Sequence, residues 1–374
     1  MPERHTTDGW HINSCEQAGF NAARLEAAVD FALENESKMN RDIGVALAQG
    51  HFEEPWPIGK TIGPVKPRAE PSGVILRHGK LVKTWGDPHR VDMTFSISKS
   101  YLALCAGIAV ADGLIPDVND PVRNLVKDGG FESPQNKDIT WVQMLQLTSE
   151  WEGVLWDKPD WIDHNRIVTG ETKNAGQKGV KRTLQNPGTH WEYNDVRVNR
   201  LALALLHLFR RPLDEILKER IMDPIGASDT WQWHGYENSW VEIDERKMQS
   251  VSGGAHWGGG LWISALDHAK VGQLMLNNGT WNGKRILAES WLSACRTPCL
   301  IAPFYGYLWW LNAKGSGMFP AAPHSAVCAM GVGTQILYID HENDMVIIAR
   351  WIEKESLASF VERVLHSLEA KISL

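Results

Sequence analysis

From Asn21 to Asn35 apolar residues recur at helical spacing, with Leu25, Val29 and Leu33 four apart, and the pattern predicts an amphipathic helix. The character changes over His51–Pro71, where Pro, Gly and charged residues dominate and a loop is expected. Beyond it, the apolar runs Val74-Ile75-Leu76 and Leu81–Trp85 flank Arg77-His78-Gly79-Lys80 and read as a β-hairpin. A second hairpin is expected near the far end, Gln335–Ile339 and Met345–Trp351 joined by the polar Asp340–Asp344, followed by a helix over Leu357–Ile372. Between them, Asn199–Phe209 and Leu213–Met222 carry helical signals. Strands at both ends with helices between predict an α/β (α+β) fold, one antiparallel sheet closed from N- and C-terminal strands and flanked by the terminal helices. Residues 1–127 and 249–374 would form this discontinuous sheet domain and residues 128–248 a mainly helical inserted domain. The cleft between the two is the expected site.

The longest apolar stretches, Tyr101–Ala111 and Leu201–Phe209, fall short of the roughly 18 residues a membrane-spanning helix needs and read as buried helices. With 43% hydrophobic and 22% charged residues the chain has the composition of an ordinary globular protein. A formal net charge of −7, with no run of Lys or Arg, supplies no electrostatic footprint for nucleic acid or an anionic membrane, and neither partner is expected. Met1–His5 is polar and lacks the basic and then apolar regions of a secretory signal, so a cytoplasmic location is expected. Cys15, Cys105, Cys295, Cys299 and Cys328 are odd in number and scattered, which fits free thiols in a reducing compartment. Cys295 and Cys299 stand four apart, but no second pair or His cluster accompanies them, and no metal site is expected.

Chemistry enters with Ser96-Ile97-Ser98-Lys99, the only Ser-x-x-Lys in the chain. Residue frequencies alone give about one such match, so context decides. A long apolar helix follows from Ser100 to Asp112, with Gly113 as a C-terminal cap, and this puts Ser96 at a helix N-terminus with Lys99 one turn on and on the same face. There the helix dipole favours developing negative charge. A serine hydroxyl becomes a nucleophile when a neighbour takes its proton, and a lysine does so when its surroundings disfavour the ammonium. On the four residues alone, a helix cap and a solvated lysine are the better reading.

Further segments, in order, resemble the penicillin-recognising (serine β-lactamase-like) superfamily of β-lactamases, penicillin-binding proteins and their esterase and amidase relatives. Phe95–Ser100 is similar to its first signature and Ile139–Ser149 to the segment that follows. Pro187-Gly188-Thr189-His190-Trp191-Glu192-Tyr193-Asn194-Asp195 is similar to the second, Pro-Gly followed by Tyr-x-Asn, and Gly258–Asp267 to a Gly-Gly-Leu-x-x-Ser-Ala-x-Asp stretch. Gly331-Val332-Gly333-Thr334-Gln335 stands where the third belongs and is nearer the Gly-x-x-Gly-Gln form of 6-aminohexanoate-dimer hydrolases than the Lys-Thr-Gly of β-lactamases.

The resemblance implies a β-lactamase/transpeptidase-like fold, Ser96 as acylated nucleophile, and Lys99 and Tyr193 as the acid–base pair. The tetrahedral oxygen formed on attack needs two rigid donors, for which the backbone N–H groups of Ser96 and Val332 are the candidates. Gly259, Gly331 and Gly333 would bring backbone close to substrate. Trp151 and the pair Trp309-Trp310 are candidate cleft walls, favouring an uncharged, partly apolar acyl or alcohol group. His164 and His190 lie nearest the signatures and read as structural or surface residues, since no nucleophile-elbow motif accompanies them.

Two departures narrow the expectation. No Lys-Thr-Gly or Lys-Ser-Gly occurs, and Lys314-Gly315-Ser316-Gly317 is out of place, so efficient β-lactam turnover is not expected. Asp195 replaces the usual Asn, a carboxylate able to hold Lys99 protonated, which leaves the base open between Lys99 and a Tyr193 phenolate. The expected function is hydrolysis of a small-molecule ester or amide through an acyl-enzyme, with no cofactor. Acyl transfer, a peptidase on D-amino-acid peptides and a non-catalytic sensor are the alternatives, and the oligomeric state stays open between monomer and homo-oligomer.

Overall fold

The computed structural model describes residues 9–52, 54, 57–168, 176–314 and 317–369. The N-terminal pentapeptide, Gly315 and Ser316, and the last residues of the expected terminal helix lie outside these.

Six strands form the main sheet in the order Trp310–Leu311, Val327–Gly331, Gln335–Asp340, Met345–Arg350, Ser72–Arg77, Lys80–Trp85, every neighbouring pair antiparallel. Both expected hairpins are present. The C-terminal strand Met345–Arg350 pairs with Ser72–Arg77 in register from Ser72 opposite Arg350 to Arg77 opposite Met345, which closes the sheet across the chain ends. Every position of the Ser72–Arg77, Gln335–Asp340 and Met345–Arg350 strands is buried, so helices cover the sheet on both faces and the strands read as continuous apolar runs. The helix Ala265–Leu276 lies on its middle strands. Gly272 permits the approach, since a Cβ there would come within 2.6 Å of Val346 and 2.7 Å of Leu337. The terminal helices Ala22–Glu34 and Leu357–His366 pack on each other, and Phe360 meets Trp85 of the edge strand edge to face. Asn21 caps the first of them through its side chain; Leu25 and Val29 are buried, whereas Leu33 is exposed.

The segment 128–248 carries helices Trp141–Leu145, Asp195–Phe209 and Leu213–Leu217, and also a long strand that its pattern did not show. Gln232–Ile243 turns back on Arg246–Val251 and joins Gly260–Ile263 and Asp92–Met93 in a four-stranded sheet. The tight turn is Asp244-Glu245, both in the left-handed region. That conformation normally announces itself with glycine or asparagine, and here it does not. A register shift between Gly235 and Trp240 also breaks the alternation by which a strand is read. Among the described residues no helix is long and apolar enough to cross a membrane.

Candidate active site

The helix Ile97–Ala111 begins at Ser96, and Gly113, at φ +73°, ends it as expected. Ser96 makes no side-chain capping bond among the described residues, which disposes of the cap reading. Its neighbours hold the turn in place: Ser98 Oγ accepts from Leu261 N at 2.9 Å and Ser100 Oγ donates to the Leu308 carbonyl at 2.7 Å. Phe95, just before, sits in the left-handed region at φ +50°, a strained conformation fixed by its burial. One turn along, Lys99 Nζ lies 2.8 Å from Ser96 Oγ.

The helix Asp195–Phe209 packs on this one and delivers the second signature. Asn194 caps it, accepting from Arg197 N, while its amide donates to the Asp160 carbonyl at 2.8 Å. This fixes Asp195 in the first turn, with Oδ1 2.5 Å from Lys99 Nζ; both residues are buried. The Tyr193 ring lies under two cations, 4.5 Å from Lys99 Nζ and 5.2 Å from the Arg166 guanidinium, and stacks on Trp310 at 5.5 Å. Ser96, Tyr193, Trp310, Arg166, Met330, Gly331, Val332, Gly333 and Gln335 line a common cleft of about 640 Å³. Gly331 lets the end of the Val327–Gly331 strand run against the segment just before Ser96, since a Cβ there would lie 2.0 Å from the Thr94 carbonyl oxygen.

Three expected cleft residues lie elsewhere. Trp151 donates its indole N–H to the Gly130 carbonyl at 2.7 Å and borders a separate concavity with Asn136 and Asp160. Trp309 is buried and absent from the cleft lining, whereas Trp310 lines it. Gly259 bonds Pro64 through its N–H at 2.8 Å, and a Cβ there would lie 2.8 Å from the Gly235 carbonyl, so it serves sheet packing.

Other residues reach the site from loops, outside any helical or strand periodicity. Asp195 Oδ2 takes a hydrogen bond from Arg166 Nη1 and faces His256 Nδ1 at 3.1 Å. His256 Nε2 faces Glu54 Oε1 at 2.5 Å, and Trp257 Nε1 donates to Glu54 Oε2 at 2.7 Å. Burial alone would raise the Asp195 carboxyl, but Lys99, Arg166 and His256 hold it well below the usual carboxylate range. Burial likewise opposes the charge of Glu54, and His256 and Lys178 bring that group down to about 2. Ligand atoms of Glu54, Asp163 and His256 lie within 4.8 Å of one another, a spacing a metal could bridge. The chain already supplies cations there: Lys178 Nζ is 2.8 Å from Glu54 and 3.8 Å from Asp163, and Arg166 Nη1 is 3.3 Å from Asp163. The charge of this donor set is therefore met by side chains.

Residues 72–356 match the family model described as beta-lactamase, and the chain belongs to that family of hydrolases. Its mixed architecture is the β-lactamase/transpeptidase-like fold. Among curated relatives, the 6-aminohexanoate-dimer hydrolase of Paenarthrobacter ureafaciens is 21% identical over 274 residues, 68% of this chain and 64% of that protein, so the chain spans slightly under two thirds of that relative. Among solved structures, a penicillin-binding protein homolog from Caulobacter crescentus is similar at TM-score 0.58 and 16% identity, covering 94% of this chain and 99% of the other. EstCE1, a hydrolase with promiscuous acyltransferase activity, is similar at TM-score 0.58 and 14% identity, covering 93% and 98%.

Proposed function

We propose that the protein hydrolyses small carboxylic esters or amides through an acyl-enzyme on Ser96. The observation that carries this reading is Lys99 Nζ at 2.8 Å from the Oγ of Ser96, which lines the cleft together with Tyr193. Lys99 takes the hydroxyl proton as Oγ attacks the carbonyl carbon, and the tetrahedral oxygen is held by the backbone N–H groups of Ser96 and Val332. As the tetrahedral species collapses, the bond to the leaving group breaks and Tyr193 hands that group a proton drawn from Lys99. Water then attacks the acyl carbon, the same pair moves its proton to Ser96 Oγ, and the acid departs. Direct contact with Oγ favours Lys99 over Tyr193 as the base.

Met39, Ile167, Val168, Met330, Leu357 and Trp310 give the cleft apolar walls, which support an uncharged, partly apolar acyl or alcohol group as substrate. Transfer of the acyl group to an added alcohol uses the same first step, and the likeness to EstCE1 supports it as a second reading. The test is turnover of p-nitrophenyl acetate and butyrate by wild type and Ser96→Ala. The reading requires turnover that the variant loses; an equally active variant contradicts it. Turnover that rises with added alcohol identifies transfer.

A further inference from the structure

Asp195 poses a problem for the mechanism just proposed. A buried carboxylate 2.5 Å from Lys99 Nζ stabilises the ammonium, whereas the base must be the amine. What surrounds the other carboxylate oxygen bears on this. Oδ2 is shared by the Arg166 guanidinium and His256 Nδ1, and His256 is buried with each ring nitrogen against a carboxylate, Asp195 at 3.1 Å and Glu54 at 2.5 Å. An ionised carboxylate only accepts, and a neutral imidazole has one N–H, so bonding on both sides calls for the imidazolium. We propose that His256 is held as a buried cation between Glu54 and Asp195 and, with Arg166, cancels the charge of Asp195, so that this carboxylate does not keep Lys99 from acting as the base.

His256 is therefore a positioning residue for charge, acting through Asp195. The inference rests on the serine-hydrolase reading. The charged groups around the imidazole agree with it. Glu54 and Asp195 bond it, and Asp163 adds a further favourable carboxylate. Arg166 and His51 oppose its charge, and Lys178 Nζ meets the same Glu54 Oε1 at 2.8 Å. Lys158, above the Trp257 ring, is spent on the Ile58 and Lys60 carbonyls. Phe52 stacks on the imidazole at 3.9 Å, closing that face with a ring. Burial disfavours the charged form most strongly, but Glu54, Asp163 and the bond to Asp195 together outweigh burial and Arg166, and His256 is raised above its ordinary range.

The charge can be read directly. In the wild-type protein with isotope-labelled histidines, both ring nitrogens of His256, assigned by the signal missing from His256→Lys, should be protonated at pH 8. A single protonated nitrogen overturns the inference. The consequence is read from kcat/KM against pH. Removing a cation one hydrogen bond from Asp195 favours the Lys99 ammonium, so in His256→Gln the acid limb should move to higher pH by about one to two units, with activity recovered at the alkaline plateau. His256→Lys, which keeps a cation there, should leave the limb within about half a unit of wild type. A limb that stays in place while the plateau falls marks a merely structural role and overturns the proposal. Fluorophosphonate labelling of wild type separates the two failures: an unlabelled protein refutes the nucleophile, whereas a labelled protein with an unmoved limb refutes only the role of His256.

Discussion

Gly254 leaves no room for a side chain beside Asp195: a Cβ there would lie 1.6 Å from Asp195 Oδ1 and 2.7 Å from Lys99 Nζ. The preceding Gly253 is confined too, between Leu102 of one helix and Val198 of the other, so this loop wedges between the two helices that carry Lys99 and Asp195. Gly254→Ala should displace the Lys99–Asp195 pair by roughly an ångström and lower kcat/KM on p-nitrophenyl butyrate about a hundredfold. Unchanged far-ultraviolet circular dichroism would show that the loss is local. Activity within about threefold of wild type would mean that the pair does not set the geometry of Ser96.

Lys99 and Tyr193 should separate by leaving group. Lys99→Ala removes the proposed base and should lower kcat/KM about a thousandfold on every ester. Tyr193→Phe removes the proposed proton donor, a loss that matters little for p-nitrophenolate and much for an alkoxide. The expected losses are about tenfold on p-nitrophenyl butyrate and about a hundredfold or more on ethyl butyrate. Equal losses on both esters would instead give Tyr193 the part of base.

A second ionic cluster lies behind the site, and its contribution is to stability. The Glu150 carboxylate, fully buried, accepts from Arg182 Nη1 and Nη2 at 2.6 Å each, from Arg197 Nη1 at 2.8 Å and from Gln185 N at 2.8 Å. Burial pushes its pKa up, and these donors together bring it down to about 2 from an ordinary 4.5. A depressed carboxyl contributes stability that is present above its unfolded pKa and is lost as pH falls through the folded one. Glu150→Gln should therefore cost about 3 kcal/mol at pH 7, measured by denaturant unfolding, and the gap to wild type should shrink between pH 4.5 and 2. A gap of constant size over that window would show that the charge contributes nothing.

At the third signature the cleft presents Gly331, Val332, Gly333 and Thr334, with no cation in that run to hold a β-lactam carboxylate. Lys38 and Lys354 also line the cleft, and Lys38 is highly exposed and pairs with Glu353 at 3.7 Å. Turnover of nitrocefin should fall at least about a hundredfold below that of p-nitrophenyl butyrate. Comparable rates would show that another group receives the carboxylate.

The sheet was legible because its inner strands are buried on both faces and leave unbroken apolar runs such as Val74–Leu76 and Met345–Arg350. The Gln232–Val251 hairpin was not, because its turn is Asp244-Glu245 and its first strand carries a register shift. At the site, Ser96, Lys99, Tyr193 and Asp195 stand on helix N-termini with recognisable spacing, and the fold brings them together. Glu54, Arg166 and His256 come from loops, where no periodicity marks a position. One signal was available for His256: it sits in Gly253–Gly260, a run so rich in glycine that close approach to something is implied. Asp195 in place of an amide was a second, since a buried carboxylate beside Lys99 calls for further cations.

The central claim is that Ser96 carries the acyl group. Treating the protein with a fluorophosphonate and mapping the modified peptide by mass spectrometry tests it most directly. One adduct is expected, on the peptide containing Ser96, absent from Ser96→Ala and formed more slowly in Lys99→Ala. An adduct on a different residue, or an equally labelled Ser96→Ala, would contradict the account.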